Sequence, residues 1–158
     1  MPTYRRSTRV RAPFEEVWEF HSRIDGLEAL TPAFMNLRAD AVVGPDGERD
    51  PGVLEAGARA YSSIRPFGVG PRQRWLSVIT DRHEEEGAAC FVDEMEEGPF
   101  PHWRHAHRFF ADGGETVVDD RVEYELPIVP GPLAEYVGRI GFEPMFRHRH
   151  RTTKELLE

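Results

Sequence analysis

His105 and His107 stand two residues apart in a run from Trp103 to Ala111 whose aromatic and β-tolerant composition predicts a strand, so both imidazoles leave the same face of a sheet. The charges in the flanking runs fix which face that is. From Ala88 to Glu96, Glu94 and Glu96 share a side with Val92, which leaves Phe91, Asp93 and Met95 on the other. From Glu115 to Leu126, Asp119, Arg121, Glu123 and Glu125 form the solvated set, and Val118, Asp120, Val122, Tyr124 and Leu126 the inward one. Arg104 and Arg108 then belong outside, opposite the glutamates, where cross-strand pairs contribute about 0.2–1 kcal/mol each.

Gln73, Trp75 and Ser77 join this inward face from the run before, and Trp103 and Phe109 complete it. A sealed apolar core does not hold so many polar groups, because each must find a partner or cost a few kcal/mol. The pattern predicts a cavity walled by Trp75, Phe91, Met95, Trp103 and Phe109, with Gln73, Ser77, Asp93, His105, His107, Asp120 and Tyr124 as its polar lining. Three chemistries suit such a set. A His–Asp hydrogen-bond network would shape the cavity and orient the polar end of a ligand. The same histidines could do acid–base work on a carbonyl ligand. His105, His107 and Asp120 have the ligand types of a two-histidine, one-carboxylate metal site. The network is the favoured reading, and no metal or cofactor is expected. No nucleophile elbow, phosphate-cradling glycine loop, HExxH or CxxC occurs in the chain to specify a reaction.

The elements that must position these groups are legible from period and punctuation. A first strand, Thr3 to Val10, stops at Ala12 and Pro13, and Phe14, Val17, Trp18 and His21 then follow the spacing of one buried helix face, with Glu15, Glu16 and Glu19 outside. Ile24, Leu27 and Leu30 predict a short second helix ended by Pro32, placed to act as a lid. A strand is expected over Met35 to Val43, then a loop from Gly44 to Gly52. Strands near Ala58 to Pro66, Arg72 to Glu84, Ala88 to Glu96, Trp103 to Ala111 and Glu115 to Leu126 are separated by glycine and proline turns, the pattern of consecutive hairpins. After a loop from Ile128 to Pro132, apolar residues from Leu133 onward predict a long C-terminal helix, with a kink or break around Gly141 to Pro144. Trp18, Trp75, Trp103 and Phe109 read as core or cavity wall rather than a cofactor box.

Composition bounds the function. The chain has 158 residues, enough to bury a core as one domain spanning 1–158, and its net charge of −8 opposes contact with nucleic acid or anionic membranes. The one basic run, Arg147 to Arg151, would point in all directions on a helix, so no nucleic-acid partner is expected. Cys90 is the sole cysteine and reads as an inert structural thiol. With no apolar run near the roughly 20 residues a span requires and no apolar leader, a cytoplasmic location is the expectation.

Ala12-Pro13-Phe14-Glu15-Glu16-Val17-Trp18 after a first strand resembles the opening of the START-like (SRPBCC) superfamily of polyketide cyclases, Bet v 1-like and Coq10-like proteins. Phe91-Val92-Asp93-Glu94-Met95, Gly98-Pro99-Phe100, Trp103, His105, His107 and Phe109, Asp120 to Pro127, and Phe146-Arg147-His148-Arg149 with Thr152, Thr153 and Lys154 are similar to a ligand-binding branch of it. The resemblance spans the chain. It implies an α+β helix-grip fold, β-α-α-β6-α, with a curved antiparallel sheet of about seven strands around the C-terminal helix. It also implies a hydrophobic or amphipathic small molecule held between sheet and helix. A cyclase- or dehydratase-like enzyme and an auxiliary partner-binding module are the alternatives, since fold alone does not choose among them.

Overall fold

The computed structural model describes residues 1–129 and 131–158; for Gly131 and Pro132 it describes the backbone only. The elements follow the order β1 (Thr3–Val10), α1 (Phe14–His21), α2 (Ile24–Leu30), β2 (Arg38–Val43), β3 (Arg59–Ile64), β4 (Gln73–Glu85), β5 (Ala88–Glu97), β6 (His102–Asp112), β7 (Glu115–Glu125) and α3 (Gly131–Leu157). All seven strands join one antiparallel sheet in the order β1-β7-β6-β5-β4-β3-β2. This is the helix-grip architecture that the sequence predicts.

Local chemistry sets the boundaries. Pro13 is the N-cap of α1 rather than part of its first turn, and its carbonyl accepts from the Glu16 and Val17 amides. Phe14, Val17, Trp18 and His21 are all buried, as their spacing requires. The strand expected from Met35 begins only at Arg38. Ala33–Met35 forms a 3₁₀ turn that ends at Asn36 in the left-handed region, φ 50°, with the Asn36 side-chain amide donating to the Arg65 carbonyl at 3.0 Å. The loop expected over Ile128 to Pro132 takes in Pro130, which lies outside the described residues, and α3 already begins at Gly131.

The expected break in α3 is absent: the helix runs through Gly141 and Pro144. Pro144 and the residue four positions back, Ile140, both lie on the exposed side, so water can serve the carbonyl that proline leaves unbonded. Two buried clusters flank the middle of the sheet. One joins Val10, Phe14, Val17 and Trp18 to Phe91 and Phe109. The other joins Tyr4, Trp103, Val122 and Tyr124 to Phe142 and Phe146 of α3.

Asp119 faces outward as expected yet is only 2% exposed. Arg5 and Arg108 each donate to it at 2.9 Å and Ser7 adds a third bond, so guanidinium groups roof it over. Arg108 therefore pairs with β7, whereas the expected partners were glutamates of β5; Glu96 pairs with Arg59 instead.

Gly138 sets how closely α3 approaches the sheet. A methyl group there would overlap the Tyr124 phenol, whose hydroxyl donates to the Ala134 carbonyl at 3.0 Å, whereas at Gly141 it would meet nothing. Gly138→Ala is expected to cost about 1–3 kcal/mol by overpacking, and Gly141→Ala to add about 1 kcal/mol through helix propensity. Urea unfolding of the two variants checks this; equal effects would show that α3 does not depend on the close approach.

Candidate functional site

A cavity of about 150 Å³ lies between the inward faces of β3 to β6, the short helix α2, and Met145, Phe146 and Arg149 of α3. Most of its wall is apolar, including Ile24, Leu27 and Leu30 from α2 and Ile64, Ile79 and Phe91 from the sheet. The polar groups gather where β5 and β6 lie beneath α3, and side-chain alternation along β6 puts them there. Trp103, His105, His107 and Phe109 are all buried inward.

The two histidines are stacked at 3.6 Å between ring centroids, and His107 also stacks on Phe91 at 4.0 Å. A carboxylate stands on either side of this stack. His107 Nε2 donates to Asp93 Oδ2 at 2.6 Å, and Ser77 Oγ donates to the other Asp93 oxygen at 3.2 Å. His105 Nε2 donates to Asp120 Oδ1 at 2.7 Å, and His150 Nε2 of α3 donates to Asp120 Oδ2 at 2.6 Å. Arg149 Nη2 lies 3.4 Å from His107 Nδ1. A guanidinium can only donate, so His107 Nδ1 accepts and the ring proton sits on Nε2.

Electrostatics agree with this assignment. Burial works against the charge of Asp120, but hydrogen bonds from His105 and His150 outweigh it and hold the carboxyl well below the usual carboxylate range. Asp93 is likewise buried and likewise lowered, through its bonds from His107 and Ser77. Burial, with His105 alongside, brings His107 down to about 4, so it is a neutral imidazole at neutral pH. Asp93, His105 and His107 present ligand atoms within 4.8 Å of one another, which brings Asp93, not Asp120, into the metal-like trio. Within the trio His107 and Asp93 are hydrogen-bonded at 2.6 Å.

Of the residues predicted to line the cavity, Trp75, Ser77, Phe91, Asp93, Trp103, His105 and His107 do so. Five do not. Gln73 shares the inward parity but is exposed at the start of β4. Met95 packs beside Trp103 and Phe100 in the second cluster, and Tyr124 meets Phe142 there at 4.8 Å. Phe109 is sealed beneath Trp18 and His21. Asp120 lies outside the lining, with both oxygens taken by His105 and His150. The inward face is longer than the cavity, so strand parity alone selects residues at both ends that belong to packed core. Trp18 is core as well, with Arg82 over its ring at 4.3 Å.

Sequence reading missed His21, Arg149 and His150. His21 was visible as the polar member of an apolar helix face. The other two were hidden in the run Arg147 to Arg151, which the fold divides: Arg149 and His150 turn inward, while Arg147 reaches Glu143 at 3.3 Å and Arg151 is exposed. Cys90 is half-buried and burial raises its thiol pKa, in keeping with a structural role.

His21 and His107 fold with depressed pKa values of about 3 and about 4, against about 6.5 in an unfolded chain. Between those limits the unfolded chain holds protons that the folded one lacks, so stability falls as pH drops from about 6.5 to 4. Asp93 and Asp120, lowered in the fold, continue the loss at more acid pH. His107→Phe should reduce the slope of unfolding free energy against pH in the upper window by about one proton. Urea titrations from pH 7 to 4 measure it, and identical slopes in the two proteins would contradict a neutral His107.

Residues 10–151 match the family described as polyketide cyclase / dehydrase and lipid transport. Among solved structures, TTHA0849 from Thermus thermophilus is 22% identical, with 98% of this chain and 95% of that one covered and a TM-score of 0.62. A START superfamily protein from Mycobacterium smegmatis is 13% identical over 98% and 96% of the two chains, with a TM-score of 0.65. Norcoclaurine synthase from Thalictrum is 15% identical over 98% and 92%, also at 0.65. No curated protein matches the sequence. At these identities the structures establish the shared fold, and the family match over most of the chain establishes descent: this chain belongs to the polyketide cyclase / dehydrase and lipid transport family of the START-like superfamily.

Proposed function

We propose that residues 1–158 form one ligand-binding domain that holds a hydrophobic or amphipathic small molecule in the cavity beneath α2 and α3. The observation that carries this reading is the composition of the wall. Apolar side chains from four strands and two helices surround a void at whose edge Ser77, Asp93 and His107 form one bonded polar group, with His105 stacked on His107. That is the usual make-up of a small-molecule site, in which apolar area supplies burial and a few fixed polar atoms supply orientation.

Of the two cavity histidines His105 commits only Nε2, to Asp120, whereas His107 is not placed for acid–base work. Both nitrogens of His107 are engaged, one by Asp93 and one by Arg149, which leaves no free lone pair on that ring to take a proton from a ligand. No helix among the described residues is long and apolar enough to cross a membrane.

Ala60 lines the cavity from β3, and Ala60→Leu would fill part of it while leaving the polar group intact. Native mass spectrometry of the protein purified from its own host should show about one bound organic molecule per chain, released on denaturation and lost from Ala60→Leu. A molecule retained at full stoichiometry by a folded Ala60→Leu variant would place the ligand elsewhere.

A further inference from the structure

His21 ends α1 at the cavity wall with half of its imidazole unused. Nδ1 lies 2.8 Å from the Val17 carbonyl oxygen, which can only accept, so the ring proton is on Nδ1. Nε2 is then a bare lone pair, buried and without a hydrogen-bond partner among the described residues. Burial, with the Arg149 cation as neighbour, brings the His21 pKa down to about 3, so the ring stays a neutral acceptor at neutral pH. A buried acceptor without a donor is uncommon and destabilising in a finished core. His21 lines the cavity by other atoms of its ring while Nε2 itself is covered, so a ligand's proton reaches it through a small displacement of the ring.

The surroundings narrow the class of ligand. Arg149 also lines the cavity, with its Nε unpartnered, and offers a donor for a ligand oxygen. Asp93 and Asp120, both held ionised, stand beside the Arg149 guanidinium, so a further anion at this end meets two carboxylates. A carboxylate also has no proton to give His21, and its lone pairs would oppose the one on Nε2. A cavity of about 150 Å³ is the size that holds a single benzene ring.

Resting on the reading that this cavity is a ligand site, we propose that His21 Nε2 is a hydroxyl-receiving subsite and that the ligand is an uncharged, ring-sized molecule bearing an O–H group. A phenol or cyclic alcohol meets the description, and a carboxylate does not.

Phenol, toluene and benzoate test it, since they share a ring and differ in the group offered to His21. Ligand-observed NMR on the full chain at pH 7 should show phenol and toluene bound and benzoate excluded. His21→Leu should lower the ratio of phenol to toluene affinity by about tenfold, the effect of one hydrogen bond of about 1.4 kcal/mol. The ratio is the readout because a general loss of cavity binding leaves it unchanged. In the unsubstituted protein the His21 Nε2 nitrogen resonance should move with phenol and not with toluene, which decides the matter even if the variant does not fold. Rings that bind with an unchanged ratio and an unmoved Nε2 resonance overturn the subsite alone. Failure of both phenol and toluene to bind the unsubstituted protein overturns the subsite together with the cavity reading.

Discussion

Asp120 ties the sheet to the long helix. It is 1% exposed, sits on β7, and accepts from His105 of β6 and His150 of α3 through its two oxygens. An ionised carboxylate at that depth would cost several kcal/mol if left bare, and its two imidazole donors are what make it tolerable. Removing either histidine leaves a buried charge half satisfied. The position of α3 over the sheet and the orientation of the histidine stack are therefore one constraint.

The cavity follows from this constraint and from the two aromatic clusters on either side of it. α3 is held at one end by the close approach of Gly138 to Tyr124, and further along by Asp120 and His150. On the outer face, Arg5 and Arg108 neutralise Asp119, Ser7 donates a third bond, and together they join β1, β6 and β7. Among the inward side chains there, Ala60, Ser62 and Ser77 are too small to fill the space under α2. The Asp93–His107 and Asp120–His105 bonds fix the polar edge of that space in advance of any occupant.

The fold was largely written in the punctuation of the chain. Gly87 and the Asp112-Gly113-Gly114 turn delimit strands within a residue or two of where they lie, and the i, i+3, i+4, i+7 pattern of Phe14 to His21 places one helix face correctly. Strand parity found His105, His107 and Asp93 because alternation is a local property. It does not tell cavity from core, so it groups Phe109, Met95 and Tyr124 with the lining, although α1 covers Phe109, α3 covers Tyr124 and Met95 packs in the second cluster. Arg149 and His150 were illegible for a related reason. Which side of a polar helix turns inward depends on buried charges elsewhere, here Asp120, and no local period in Arg147 to Arg151 reports that. Asp119 escaped notice because its burial comes from arginines on β1 and β6, which lie far apart in the chain.

Long-range proton–nitrogen NMR of the histidine rings tests most directly whether the layer of carboxylates and imidazoles is buried and fixed. His107 is expected to carry its proton on Nε2, with Nδ1 unprotonated and accepting from Arg149, from neutral pH down to about pH 4. A His107 ring that titrates near the ordinary value of about 6.5 would mean that the layer is open to water and not preformed.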